Sequence, residues 1–154
     1  MPDHKPPRDI LDERGTLLLL LNYHRSSLAA KLDGLSEDQI NWSPVASGTS
    51  LRWLVEHLTR TERLWILQRY RGQPGIVHRD TPDVSDLLAA YREVAHDVDE
   101  VVLHAANLDG LTVTDAGGSP VTLRWIVMHL LEETARHAGH ADLIRELIDG
   151  STGR

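Results

Sequence analysis

The chain contains neither cysteine nor phenylalanine. Without cysteine there can be no disulfide, thiolate zinc site or cysteine nucleophile. Any metal must be held by His, Asp or Glu, and any thiol must come with a co-substrate. Long apolar runs are also missing: the longest, Leu17 to Leu21, is far too short to cross a bilayer. The opening MPDHKPPRD is polar and Pro-rich rather than a signal peptide, so the expectation is a cytoplasmic protein without a membrane partner. Positive charge is scarce: 16 Lys and Arg face 23 Asp and Glu, for a net charge of −7. No basic stripe is left for binding nucleic acid. There is no G-x-S-x-G and no phosphate-cradling Gly loop, and AGGSP at 116–120 reads as a turn.

What the chain does have is nine histidines and four tryptophans in 154 residues, enough for one domain with its own core. Residues 1–8 read as a flexible arm and 9–150 as a single domain. From Asp9 to Leu32 the residues Ile10, Leu17, Leu21, Leu28 and Leu32 recur at helical spacing, with His24 on the same stripe, and Gly34 ends the pattern. Ser36 to Gln39 has the form of a capping box opening a short helical turn, followed by a loop. A second helix runs from Ser50 to about Arg71 with Leu51, Leu54, Leu58, Thr61 and Trp65 inward, and His57 beside them. Asp83 caps a third, whose Val84, Leu87, Leu88, Tyr91, Val94, Val98, Val101, Val102 and Ala105 face one way. In the turn-rich connection that follows, LTVTD is a candidate for a short extended piece. Thr122 then opens a fourth helix, running to about Ile148 before Gly150. Four long helices and no strand long enough for a sheet predict an all-α four-helix bundle.

One formula occurs twice. SLRWLVEHL at 50–58 returns as TLRWIVMHL at 122–130, seventy-two positions downstream. Each copy supplies a hydroxyl N-cap, an Arg placed to face water at the bundle end, and a Trp expected to begin the packed face. Alternate helices that open alike suggest pseudo-symmetric halves.

On the fourth helix His129, Glu133 and His137 stand at i, i+4 and i+8, along one face. Glu133 and His137 form an E-x-x-x-H pair able to grip one ion from successive turns, and His57 on the second helix is the candidate third ligand. Acid and imidazole at this spacing also make ordinary surface ion pairs. This pair, however, flanks the apolar stripe Leu123, Ile126, Leu130 and Thr134, where an unpaired polar group is costly. His129 matches His57 in the repeat and is either an alternative ligand to Glu133 or a pocket wall. His140 is placed to orient His137 or touch substrate, and His24 borders the same cavity or sits satisfied in the core. Trp53 and Trp125 complete the candidate pocket. His4, His78, His96 and His104 read as solvated.

Three stretches carry a family resemblance: GLSEDQINWSP, SLRWLVEHLTRTERLW and TLRWIVMHLLEETARHAGHADLIRE. From about Asp9 to Ile148 the chain resembles the DinB/YfiT-like superfamily, especially its short actinobacterial branch related to the N-terminal domains of mycothiol-dependent maleylpyruvate isomerases. The resemblance implies a DinB-like four-helix bundle holding a divalent metal, zinc or nickel above all. His57, Glu133 and His137 would be its ligands. Glu133 stands where most of the superfamily has a first His, a departure shared with those isomerases. The resemblance further implies a small-molecule substrate and a low-molecular-weight thiol such as mycothiol as co-substrate, hence an S-transferase. The alternatives are a metal-dependent hydrolase using metal-bound water, or a non-catalytic small-molecule-binding bundle. The apolar stripes also suggest a homodimer.

Overall fold

The computed structural model describes residues 5–75, 81–114 and 118–152. His4, His78, most of AGGSP's first half (Ala116, Gly117) and the first four residues of the expected arm lie outside them. The long elements are α1 (Glu13–Ala30), α3 (Leu51–Glu62) continued by a π-helical segment π1 (Arg63–Tyr70), α4 (Val84–His104) and α5 (Leu123–Asp149). A one-turn helix α2 (Glu37–Asn41) follows α1. Together they make an all-α four-helix bundle. No helix among the described residues is long and apolar enough to cross a membrane.

The caps are local chemistry. Ser50 Oγ accepts from the Trp53 N–H and Thr122 Oγ1 from the Trp125 N–H, each at 3.2 Å, while the Ser36 capping box is complete in both directions. Such bonds satisfy amide donors that a helix start otherwise leaves unpaired. The first helix begins later than the sequence pattern suggests. Asp12 takes the cap, accepting from the Gly15 N–H at 2.7 Å, and Ile10 is left fully exposed instead of joining the stripe. The repeated arginines are not simply solvated: Arg52 donates to Glu37 and to the Thr81 carbonyl, and Arg124 pairs with Glu13 and Asp109. Of the candidate LTVTD strand, the described part makes only an isolated antiparallel bridge between Leu111 and Thr122.

The second helix departs most from a uniform α-helix. At its end the Arg71 N–H reaches the Ile66 carbonyl at 3.0 Å, a five-residue step. Regular α spacing from Leu54 and Leu58 carries Glu62 into the interior, the wider turn then puts Ile66 and Leu67 there, and Thr61 and Trp65, the expected inward residues, are left at the edge. Gly72 closes the segment with φ 71°, and a Cβ there would stand 2.9 Å from Val113 Cγ2. Gly72→Ala is therefore expected to destabilise the fold by about 1–2 kcal/mol, read from the urea midpoint.

α1 packs chiefly on α5, and α3 chiefly on α4. Two apolar clusters fill the bundle. One gathers Leu18, Leu21, Ile66, Val98, Ile126 and Leu130; the other Leu28, Leu54, Leu58, Tyr91, Ala141 and Ile144. Along α1 the residue between the two clusters is Arg25, along α3 and π1 it is Glu62, and along α5 they are Thr134 and His137. All four are buried. The bundle thus has a polar waist. Arg25 Nε donates to Glu62 Oε1 at 2.9 Å, and its second terminal nitrogen meets Oε2. The other terminal nitrogen donates to Asn22 at 2.8 Å and Asp99 at 2.7 Å. Arg25, rather than His24, is thus the inward residue of α1. His24 sits half-buried against the Tyr23 ring at 5.0 Å, and burial pushes its pKa down.

Candidate metal centre

α3 and α5 present their polar edges to one another beside the waist. His57 stands at the edge of the Leu54–Leu58 stripe, and Glu133 and His137 stand beside Leu130 and Thr134. The buried Thr134 hydroxyl is satisfied by the Leu130 carbonyl at 2.7 Å. Glu133 Oε2 lies 3.6 Å from His57 Nε2 and 3.5 Å from His137 Nε2. One donor atom from each of the three residues falls within 4.8 Å of the others. Bonds of about 2.0–2.2 Å to a tetrahedral ion put neighbouring donors about 3.3 Å apart. Two imidazoles and a carboxylate at these separations are a donor set that would suit a divalent ion, and three protein ligands would leave a tetrahedral ion one position for a further ligand.

The surroundings orient these donors. Arg136 donates to Glu133 Oε1 at 3.0 Å, which leaves Oε2 to face the imidazoles. His137 Nδ1 lies 3.2 Å from His140 Nδ1. If Nδ1 of His137 carries the proton and donates it there, Nε2 is left as a bare lone pair toward Glu133, the tautomer a metal ligand requires. Burial lowers the His137 pKa, with the neighbouring His57 acting in the same direction and Glu133 opposing, so the neutral ring is favoured. The indole of Trp53 stacks on His57 with centroids 4.9 Å apart and planes within 4°.

Of the expected pocket residues, Trp53 and His140 meet the three donors. His129 is not among the three donors brought together. It lies between Trp125, stacked at 5.0 Å, and Trp65, edge-on at 5.4 Å. His24 makes its ring contact with Tyr23 and none with the donors. Neither repeated tryptophan begins the packed face: Trp53 is 39% and Trp125 45% exposed, each covering the histidine one turn on instead. The sequence reading did not single out Arg136, although its i+3 spacing from Glu133 is the ordinary signal for a helical ion pair. His57 also borders a cavity of about 690 Å³ between α3, π1 and α4, lined by Arg60, Thr61, Arg63, Glu93 and Asp97 among others.

Comparison with known proteins agrees with this architecture. A conserved protein from Enterococcus faecalis, known from its crystal structure, superposes with a TM-score of 0.67 over 92% of this chain and 100% of its own, at 14% identity. That likeness establishes the fold alone. No curated protein matches the sequence. The family model described as mycothiol S-transferase matches residues 16–150, which runs from within α1 to the end of α5 and includes all three donors. The chain belongs to this DinB-like family, the mycothiol S-transferases.

Proposed function

We propose that the chain is a metal-dependent S-transferase, which joins the sulfur of mycothiol to a small electrophile at a centre held by His57, Glu133 and His137. The observation that carries this reading is the convergence of three donor atoms within 4.8 Å, in a member of this family that has no cysteine of its own. A divalent ion held by these three residues would lower the pKa of a thiol that coordinates it, so that the incoming sulfur would be nucleophilic at neutral pH.

The chain's own groups do the positioning. Arg136 holds one Glu133 oxygen away from the centre, His140 Nδ1 stands where it can accept a proton from His137 Nδ1, and Trp53 fixes the plane of His57. The cavity beside His57 has the size of a small-molecule site and a lining of alternating charge, which suits the hydroxyl-rich body of the thiol. In the transfer, a sulfur–carbon bond forms, the electrophile's leaving group departs with its electron pair, and the thiol proton passes to solvent. Zinc and nickel both suit two imidazoles and a carboxylate.

The test is turnover of an alkylating electrophile by untagged protein loaded with zinc or nickel, with and without mycothiol. Metal-dependent product only when thiol is present supports the S-transferase. Metal-dependent loss of an ester substrate at equal rate without thiol would reassign the same residues to hydrolysis through bound water.

A further inference from the structure

The seventy-two-residue offset between the two nonamers extends beyond them into the geometry of the site. Under it His57 corresponds to His129, Thr61 to Glu133 and Trp65 to His137. The rings obey the correspondence. Trp53 stacks on His57 at 4.9 Å as Trp125 stacks on His129 at 5.0 Å. His137 meets His57 edge-on at 4.9 Å and 80°, as Trp65 meets His129 at 5.4 Å and 77°. The fold therefore builds the metal-site arrangement twice on the α3–α5 face. In the second copy a hydroxyl replaces the carboxylate and an indole replaces the imidazole. His129 is its sole good donor to a metal, since an indole N–H has no lone pair to offer.

What the second copy offers is ring surface. Trp65, Trp125 and His129 touch one another, with the Arg69 guanidinium 4.1 Å from the Trp65 ring centre. Single exposed aromatics need no explanation, whereas rings gathered in line with a reactive centre form a recognition surface. Trp125, His129, Glu133 and His137 follow one another at four-residue steps on α5. At about 6 Å per step, the rings lie one to two turns from Glu133, a span that one small molecule covers.

We infer that Trp65, Trp125 and His129 form the acceptor subsite, and that it selects electrophiles carrying a flat aromatic or conjugated group. The inference rests on the S-transferase reading for the direction of the reacting carbon, but not for binding itself. The two ring orientations, one near-parallel pair and one perpendicular wall, allow a planar group to stack on one surface and meet the other edge-on. An aliphatic acceptor gains only buried area from the same surface.

The experiment compares two electrophiles, 1-chloro-2,4-dinitrobenzene and iodoacetamide, with mycothiol and metal-loaded protein. Trp125→Ala is expected to lower the aromatic-over-aliphatic preference in kcat/KM about tenfold, chiefly through KM of the aromatic, with metal content unchanged and Trp125→Phe restoring most of it. An unchanged preference overturns the subsite. If neither electrophile turns over, binding decides separately: 2-naphthol is titrated into the metal-loaded protein while the four indole N–H resonances are followed. Shifts concentrated at Trp65 and Trp125, with Trp42 unmoved, uphold the subsite even where the S-transferase reading has failed. Shifts spread evenly over all four, or none, overturn it.

Discussion

His137→Ala is expected to yield a folded protein that no longer retains metal. The imidazole would contribute one of the three donor atoms of the proposed centre, and His57 with Glu133 alone would leave an ion too weakly held to survive dialysis. Elemental analysis is expected to fall from about one equivalent in the parent to almost none. Thiol-dependent turnover should fall with it, while the far-ultraviolet circular dichroism of the bundle is kept. Zinc at about a hundred times its Kd should stabilise the parent by about 2.7 kcal/mol and leave the variant unmoved. His140→Ala provides the graded comparison. It removes the partner of His137 Nδ1 but no donor, so metal affinity should drop roughly 10–100-fold without vanishing. Stoichiometric metal in His137→Ala would remove this residue from the centre.

Arg25→Met is expected to cost about 3–5 kcal/mol, the largest loss of stability from any single replacement considered, because it leaves Glu62 fully buried with no cation. For a chain of this length that is a fall in Tm of roughly 10 °C. Burial pushes the Glu62 carboxyl up, and the Arg25 charge and hydrogen bonds pull it back. Burial also works against the Arg25 charge, but Glu62 and Asp99 outweigh it and raise the Arg25 pKa above its ordinary value. Without Arg25 the carboxyl pKa rises further. A raised folded-state pKa in an acid means that stability is lost as pH climbs from the unfolded value through the folded one. The deficit of Arg25→Met should therefore be smaller at pH 5 than at pH 8. Arg25→Met with Glu62→Leu should recover most of the loss, since two apolar side chains replace the pair without stranding a charge. Urea unfolding at both pH values checks all three statements. Equal deficits at the two pH values would show that Glu62 finds another partner.

The caps and the Glu133–His137 pair were legible in the sequence because they are local. A hydroxyl three residues before an amide, or a carboxylate four residues before an imidazole, is already placed by helix geometry. The third donor needed one step more: bundle geometry pointed to His57 on the facing helix, and the family resemblance favoured Glu133 over His129 as its partner. The π-helical turn was not legible. Residues 63–70 offer both Trp65 and the Ile66–Leu67 pair as apolar candidates for the interior, and only their packing in the core cluster, which Ile66 and Leu67 join, distinguishes them. The polar waist left a trace that pattern counting discards. Arg25 sits four residues after Leu21, and Glu62 four after Leu58, so each is a charge on an apolar stripe. Read separately, each looks like an interruption, and only the meeting of Arg25 and Glu62 inside the bundle makes them partners.

The packing order of the helices carries a consequence for the chain as a whole. The half ending in α3 and π1 sends its first helix, α1, to lie on α5, while the half ending in α5 sends its first helix, α4, to lie on α3. Neither half keeps its own partner, as in two swapped subunits fused into one polypeptide. The connection between Tyr70 and Val84 then acts as a tether, holding each half at an effective concentration in the millimolar range for the other. Cut there, the two fragments would be unfolded apart and would complement one another on mixing, with a stability that depends on their concentration.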